Sequence, residues 1–221
     1  MEIRIENIQK KYGKQTVLDG VSFSAVSGEC IGILGDNGCG KSTLLTILAG
    51  VQRADGGAFL CDGVDMLQNP SQRAKTVGYV PQGVPLLEEL TAWDNLLLWY
   101  DKATLLQELD HGILKMLGIN EFLKKTVSHM SGGMKKRLSI GCSVASHPTV
   151  LLLDEPMAAL DLSCKKNIFD YISAQKKAGG IVLLVTHDVL EFSLCDRCYR
   201  IADGKLEPFD TSNQITEFLK R

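Results

Sequence analysis

Short apolar runs recur along the chain, separated by polar segments that contain glycine. Four of these runs include β-branched residues and predict buried strands: Cys30–Leu34, Val77–Val80, Val150–Asp154 and Ile181–Thr186. Helical and strand-like patterns alternate between them. This alternation predicts an α/β fold with a mostly parallel sheet.

Two stretches depart from this alternation. Within the first sixty or so residues, segments that alternate polar and apolar positions predict an antiparallel β layer: Glu2–Ile8, Val17–Ala25 and Ala58–Cys61. Later in the chain, three segments show helical spacing with no convincing strand between them: Thr91–Lys102, Thr104–Leu117 and Gly133–Ser146. We therefore predict one domain over residues 1–221, with an α/β core at about 1–90 and 147–221 and an inserted helical subdomain at 91–146.

Composition narrows the class of protein. The 221 residues carry 24 Lys and Arg against 26 Asp and Glu, a net charge of −2 that argues against a nucleic-acid-binding surface. No apolar run approaches the roughly 18 residues of a membrane-spanning helix, and the N-terminus alternates like a strand rather than resembling a signal peptide. The seven cysteines are scattered through apolar segments, as is typical of reduced thiols. These features predict a soluble, cytoplasmic protein with no nucleic acid partner.

One glycine-rich segment carries the strongest chemical signal. Residues 35–43 read Gly-Asp-Asn-Gly-Cys-Gly-Lys-Ser-Thr and match the phosphate-binding P-loop pattern, Gly-x-x-x-x-Gly-Lys-Ser/Thr. The P-loop lies between the predicted strand Cys30–Leu34 and a predicted helix, Lys41–Ala49, where backbone N–H groups and the helix dipole favour an anion. We expect Lys41 to reach the β- and γ-phosphates of a nucleoside triphosphate and the Ser42 hydroxyl to ligate Mg²⁺. The predicted nucleotide-binding residues here are Gly35, Asp36, Asn37, Gly38, Cys39, Gly40, Lys41, Ser42 and Thr43.

The predicted strand Val150–Asp154 ends in two carboxylates, those of Asp154 and Glu155. Such a strand carries its last residues to the carboxyl edge of the sheet, where open α/β sheets bind ligands. We expect Asp154 to hold Mg²⁺ through water, and Glu155 to face the γ-phosphate and the attacking water. The alternative is a strand that ends in a solvated acidic turn, which is less favoured after a P-loop.

Further segments follow in a recognisable order. Gln82 comes after the strand Val77–Val80, Ser131–Arg137 reads Ser-Gly-Gly-Met-Lys-Lys-Arg, Met157–Asp161 reads Met-Ala-Ala-Leu-Asp, and His187 follows the last predicted strand. Together with the P-loop and the acidic strand, these segments make the chain resemble the nucleotide-binding subunit of an ATP-binding cassette (ABC) transporter over nearly its full length. They look like that family's Q-loop, signature motif, D-loop and switch histidine.

The resemblance implies a site for ATP and Mg²⁺. It implies that Tyr12 stacks on adenine, that Gln82 ligates Mg²⁺ beside Ser42 and Asp154, and that His187 contacts the γ-phosphate. The implied catalytic residues are Glu155, His187 and Lys41. Glu155 would polarise the attacking water.

The resemblance also implies partners. Ser131, Gly132 and Gly133 would face the γ-phosphate bound to a second nucleotide-binding subunit, identical or not, so that two cassettes close head to tail. Separate transmembrane subunits would hold the protein at the cytoplasmic face of the membrane, and a short helix from them would dock beside Gln82. The apolar candidates for that contact are Leu86, Leu87, Trp93 and Trp99. The signature has Met134 where the family commonly has Gln, a form that looks more like the exporter branch.

Two other functions are compatible with the same motifs. One is a soluble ABC ATPase that acts on ribosomes or DNA, although such relatives usually carry two cassettes, long coiled coils or zinc hooks. The other is a non-hydrolysing regulatory module, against which Glu155 and His187 both argue.

Three cysteines, at two places in the chain, each have a structural and a chemical interpretation. Cys39 either fills a place for a small residue or is a reactive thiol activated by Lys41 and the helix N-terminus. Cys195 and Cys198 form a lone Cys-x-x-Cys, for which strand packing is favoured over a zinc site.

Overall fold

The computed structural model describes residues 1–158 and 160–210, except for the side chains of Val189 and Leu190. These residues form two sheets and the helices around them. The strands are β1 (Glu2–Tyr12), β2 (Gln15–Val26), β3 (Cys30–Leu34), β4 (Gly56–Cys61), β5 (Val64–Asp65), β6 (Val77–Val80), β7 (Val150–Asp154), β8 (Ile181–Val185), β9 (Arg197–Ala202) and β10 (Lys205–Phe209). The first sheet is antiparallel, in the order β2-β1-β4-β5. The second has the order β10-β9-β3-β8-β7-β6 and is parallel except for β10 at its edge.

The described α-helices lie in the connections between the strands. They are α1 (Lys41–Ala49), α2 (Pro70–Thr76), α3 (Ala92–Leu97), α4 (Lys102–Asp110), α5 (Ile113–Met116), α6 (Gly132–Ser143) and α7 (Leu162–Lys177). Short 3₁₀ helices occur at Ile119–Glu121, Val127–His129 and Val189–Leu194. Helices α3 to α6 all fall between β6 and β7, and the division into an α/β core and a helical subdomain stays a prediction. None of the described helices is long and apolar enough to cross a membrane.

The central strands are buried on both faces. Every residue of β3, β7 and β8 is buried, and alternate residues of β7 point to opposite sides of the sheet. Leu151 and Leu153 pack with residues of α3, α6 and α7, whereas Val150 and Leu152 pack with α1 and the antiparallel sheet. The parallel sheet is therefore the middle layer, as continuous apolar strands require.

The predicted strands are confirmed, whereas the predicted helices are confirmed only in part. β3, β6 and β7 have the predicted bounds, and β8 ends one residue earlier than predicted. The segment Thr104–Leu117 is not one helix, because the chain turns at Gly112, where the Glu108 side chain leaves no room for a Cβ atom. The segment Thr91–Lys102 also divides, because the Asp101 side chain caps α4. Sequence reasoning missed α2, α7, β5 and β10, and it gave no bounds for β9.

A buried asparagine fixes the segment that follows β6. Asn95, on α3, is 2 % exposed. Its Oδ1 accepts the Leu87 N–H at 3.0 Å, while its Nδ2 donates to the carbonyls of Leu87 at 3.1 Å and Thr91 at 3.0 Å. The side chain thus satisfies both backbone groups of a loop residue, as a neighbouring strand would.

We predict that Asn95→Ala lowers the free energy of unfolding by about 2 kcal/mol, since it removes the acceptor of the Leu87 N–H and one donor to each of the Leu87 and Thr91 carbonyls. Urea unfolding followed by circular dichroism measures this change. The matched control is Asn120→Ala at an exposed position, which should stay within about 0.5 kcal/mol of the parent protein. Equal stability of the two variants would contradict the role given to Asn95.

Candidate active site

The parallel order of the second sheet brings four loops to one edge. Strands β3, β8, β7 and β6 are neighbours in that order, and their carboxyl ends lie at the same edge. The P-loop follows β3, His187 follows β8, Asp154 and Glu155 end β7, and Gln82 follows β6. Residues that are far apart in the sequence therefore meet along a short row.

The P-loop holds its own lysine. Lys41 is 6 % exposed, and its ammonium donates to the carbonyls of Gly35 at 2.7 Å and Asp36 at 3.0 Å. Asp36, Asn37 and Gly38 form the exposed tip of the loop. The cation is thus already directed into the loop that would receive phosphate.

Helix α1 begins with backbone donors that no side chain caps. Its N-cap is Gly40, which has φ of 112° and no side-chain cap hydrogen bond, so the first-turn amides of Lys41, Ser42 and Thr43 are left for another acceptor. A Cβ at Gly40 would lie 2.9 Å from the side chain of Leu18. Glycine is needed here for both its conformation and its size.

Cys39 packs within the loop. Its Sγ lies 4.0 Å from Lys41 Nζ and would be 2.6 Å from a Cβ built on Gly35. It is partly buried and belongs to the same apolar cluster as α1. This packing supports the interpretation of Cys39 as a small filling residue.

Asp154 has the features of a magnesium ligand. It is 2 % exposed, its Oδ1 has no hydrogen-bond partner among the described residues, and the Ser42 hydroxyl donates to its carboxylate. Burial raises the pKa of Asp154, and the hydrogen bond from Ser42 opposes that rise. An unpaired carboxylate oxygen beside a hydroxyl provides the hard oxygen ligands that Mg²⁺ prefers, so the residues present fit the ion.

The remaining ligands of a bound Mg²⁺ would be mainly water and phosphate oxygens rather than further acidic side chains. Within residues 1–158 and 160–210, no group of three or more His, Cys, Asp or Glu side chains could hold a metal ion. This agrees with Mg²⁺, which usually takes one or two carboxylates and completes its shell with water and substrate phosphates.

Glu155 lies between two of the predicted site residues. Its Oε2 accepts from Gln82 Nε2 at 3.0 Å, and its Oε1 lies 3.2 Å from His187 Nε2. Its backbone is in the left-handed region, with φ of 48°, while its N–H donates to the Val185 carbonyl at 2.9 Å. A residue other than glycine in this conformation is strained, and such strain is common at functional sites.

The signature residues lie at the start of α6. Ser131 is the N-cap, and its hydroxyl accepts the Met134 N–H at 3.3 Å. A Cβ on Gly132 would have nothing within 4 Å, whereas one on Gly133 would lie 2.4 Å from Cys164 Sγ. Internal packing against α7 therefore explains Gly133, and only Gly132 presents open space. The sequence pattern had given both glycines the same purpose.

Tyr12 is exposed, and the predicted D-loop is described only in part. Tyr12 ends β1 and is 47 % exposed, with Lys10 Nζ 5.6 Å from its ring centroid and its hydroxyl accepting a hydrogen bond from Gln52. In the D-loop, Asp161 caps α7 by accepting the Cys164 N–H at 2.8 Å. Ala159, in the same predicted motif, lies outside the described residues.

Two basic residues near the site were missed by sequence reasoning. Lys136 of α6 is 5 % exposed and donates to the carbonyls of Pro81 at 2.8 Å and Gln82 at 3.3 Å. Burial lowers its pKa to about 8, and the charges of Asp154 and Glu155 oppose that shift. Arg200 of β9 lies 3.7 Å from Asp36 at the exposed tip of the P-loop. The sequence pattern gave neither residue a role, because each contact joins distant parts of the chain.

An apolar surface lies beyond Gln82. Of the predicted contact residues, Leu87 and Trp99 are 50 % and 64 % exposed, while Leu86 and Trp93 pack partly against the core. Leu98 is also 60 % exposed. Leu87, Leu98 and Trp99 are called the apolar patch below. Large apolar side chains that are more than half exposed, such as the adjacent Leu98 and Trp99, are candidates for a contact site.

The Cys-x-x-Cys is confirmed as a packing feature. Cys198 lies in β9, and the Sγ atoms of Cys195 and Cys198 would be 2.9 and 2.7 Å from a Cβ built on Gly32 of β3. All seven cysteines are free thiols.

Comparison with known proteins places the chain in one family. Residues 18–158 match the family model described as ABC transporter. The chain is 32 % identical to the linearmycin resistance ATP-binding protein LnrL of Bacillus subtilis, over 96 % of this chain and 70 % of LnrL. It is 35 % identical to the spermidine/putrescine import ATP-binding protein PotA of Protochlamydia amoebophila, over 99 % of this chain and 60 % of PotA. It is 35 % identical to the Nod factor export ATP-binding protein I of Sinorhizobium fredii, over 92 % of this chain and 61 % of that protein.

A solved structure has the same fold. It is a dimeric ATP-binding cassette in a post-hydrolysis state, bound to ADP and Pi. The TM-score is 0.80 at 25 % identity, with 93 % of this chain and 96 % of the other covered.

We predict that the two signature glycines respond differently to alanine. Gly133→Ala should lower the free energy of unfolding by about 2 kcal/mol, because the new methyl group would overlap Cys164 Sγ. Gly132→Ala should change it by less than about 0.5 kcal/mol, because that position is open. Urea unfolding measures both changes. Adding Cys164→Ala to Gly133→Ala should recover part of the lost stability, and no recovery would contradict the packing explanation.

Proposed function

Because this chain belongs to the ABC transporter family, as an ATP-binding subunit with ATPase activity, we propose that it powers an exporter-type membrane transporter. In this proposal it pairs head to tail with a second nucleotide-binding subunit, and the pair closes around ATP and reopens after hydrolysis. The observation that carries the proposal is the placement of Glu155 between Gln82 and His187, at the sheet edge that also holds the P-loop.

The P-loop residues bind the triphosphate. The uncapped amides of α1 and the Lys41 ammonium supply donors and positive charge, while Tyr12 offers an exposed ring to the adenine. Asp154, Ser42 and Gln82 would hold Mg²⁺, which when bound neutralises charge on the phosphates. Gln82 donates to Glu155 through its Nε2 in the present structure, so its Oε1 would ligate the metal while that hydrogen bond is kept.

Glu155 orients and polarises the attacking water. Its carboxylate is 19 % exposed and is held from two sides, which restricts its rotamers. Phosphoryl transfer through a loose transition state requires mainly positioning and stabilisation of charge, so full proton abstraction by Glu155 is not needed. The His187 imidazole, 3.2 Å from the same carboxylate, would contact the γ-phosphate and keep this geometry.

The second nucleotide-binding subunit completes the site. In this chain the open position Gly132 and the N-cap Ser131 are at the start of α6, so they are available to a nucleotide held by a partner. The similarity to a dimeric cassette supports this pairing. The second subunit is either a copy of this chain or a non-identical nucleotide-binding subunit.

The membrane partner would dock on the apolar patch, of which Leu87 lies in the loop after Gln82 and is held by Asn95. This docking places the protein at the cytoplasmic face of the membrane. Met134 in the signature and the similarity to a Nod factor export protein support export, while the similarity to PotA weighs towards import.

We predict that Glu155→Gln keeps ATP binding but lowers ATP turnover by at least about 100-fold, because the amide cannot polarise water as the carboxylate does. The ATP-bound dimer should then accumulate. Phosphate release, fluorescent nucleotide titration and size-exclusion chromatography with ATP measure the three quantities. Glu121→Gln, at an exposed site, is the control and should turn over normally. Normal turnover in Glu155→Gln would overturn the assignment.

We predict that a stoichiometric multi-span membrane protein co-purifies with tagged Glu155→Gln protein. The purification is done in mild detergent from the native cells. Adding Leu98→Glu and Trp99→Glu should remove that partner, because the two charges disrupt an apolar contact. Val26→Glu, at an exposed apolar residue of β2, should retain it. Mass spectrometry identifies what co-purifies, and the partner's sequence bears on cargo and direction. Ribosomal proteins or DNA-repair factors without a membrane protein would contradict the transporter role while leaving the ATPase intact.

A further inference from the structure

Lys136 is a buried cation whose partners are backbone carbonyls. Its side chain comes from the second turn of α6, is 5 % exposed, and ends between the carbonyls of Pro81 and Gln82 at 2.8 and 3.3 Å. Burying an ammonium is costly unless the site repays it with hydrogen bonds and opposite charge. Here the two carbonyls supply the hydrogen bonds, and Asp154 and Glu155 supply the opposite charge.

The basic residues on either side of Lys136 in α6 have other partners. Lys135 is at the surface and pairs with Glu88 at 2.9 Å, while Arg137 donates to the Leu117 carbonyl at 3.0 Å. Among the described residues, Lys136 provides the hydrogen bonds between α6 and the backbone just after β6. It therefore links the helix that begins at Ser131 to the loop that carries Gln82.

Through Gln82, this link reaches the carboxylate of Glu155. The Gln82 carbonyl is fixed by Lys136, and the Gln82 side chain donates to Glu155 at 3.0 Å. Fixing the backbone of a residue restricts where its side chain can reach, so a displaced Pro81–Gln82 peptide would carry the Gln82 amide away from Glu155.

We propose that Lys136 is a positioning residue for ATP hydrolysis. Its ammonium holds the Pro81–Gln82 backbone so that Gln82 reaches Glu155, and it couples the helix of the signature motif to the catalytic carboxylate of the same subunit. Any movement of α6 caused by a partner is then transmitted to Gln82 through two hydrogen bonds. This inference rests on the proposed function for the roles of Gln82 and Glu155.

The link itself is tested without nucleotide. Hydrogen–deuterium exchange of the nucleotide-free protein should show the hydrogen-bonded amides of Leu86 and Leu87 exchanging about tenfold faster in Lys136→Met, while those of β7 are unchanged. Lys176→Met is the matched control. Lys176 also donates to a backbone carbonyl, that of Leu194 at 2.8 Å, but remote in sequence from the Gln82 loop. Unchanged exchange at the Leu86 and Leu87 amides would overturn the proposal whatever the protein's activity.

The positioning role is tested by a double-mutant cycle. Lys136→Met should lower kcat for ATP at least about tenfold with KM within about twofold, because the P-loop contacts are untouched. On a Gln82→Ala background the same substitution should lower kcat by less than about twofold, since Lys136 acts through Gln82. Additive losses, or a loss confined to KM, would overturn the proposal. Lys176→Met should leave both parameters unchanged.

Two complications, a variant that does not fold and a wild-type protein without ATPase activity, are distinguished from failure of the Lys136 proposal. If Lys136→Met does not fold, Lys136→Gln is used, which keeps a neutral donor but cannot supply the charge, and the same exchange and cycle results are required of it. If the wild-type protein shows no ATPase activity, the proposed function fails, while the exchange experiment still decides whether Lys136 holds the loop.

Discussion

The register between the parallel strands β7 and β8 is the constraint on which the site depends. Asp154 is paired with Val185, and the next residue, Glu155, donates its N–H to the Val185 carbonyl. His187 lies two residues beyond Val185, so one pairing sets the positions of both carboxylates and of the imidazole. A slip by one residue would turn Asp154 to the opposite face of the sheet, away from Ser42. The buried apolar residues on both faces hold this register in place.

The loops at this edge are held by side chains rather than by regular secondary structure. Lys41 binds carbonyls of the P-loop, Lys136 binds carbonyls beside Gln82, and Asn95 binds both backbone groups of Leu87. In each case a buried polar side chain satisfies backbone groups that a strand or helix would otherwise satisfy. Each loop therefore has a defined shape without being locked into a sheet, as is needed where ligands and partners bind.

The sequence was sufficient for the parts of the fold that depend on local pattern. Apolar runs located β3 and β7, because a fully buried strand needs no polar positions, and they also located the partly buried β6. The sequence motifs also singled out Gln82, Glu155 and His187, which the structure brings together. The break at Gly112 was missed because it depends on a side-chain contact from Glu108. The carbonyl contacts of Lys136 were missed because they join residues some 54 positions apart. Likewise, the sequence shows two adjacent glycines at 132 and 133 but not the cysteine from α7 that requires one of them.

The inward position of the P-loop lysine has a consequence for selectivity among anions. The Lys41 side chain is already ordered by two carbonyls, so its rotamer entropy, about 2 kcal/mol for a lysine, is largely lost before a ligand arrives. The ligand must instead replace the two hydrogen bonds that it displaces. A single inorganic phosphate offers one charged group in exchange, whereas a polyphosphate also engages the amides at the start of α1. We therefore expect the resting loop to discriminate by chain length, favouring extended phosphate chains over the free phosphate abundant in cells.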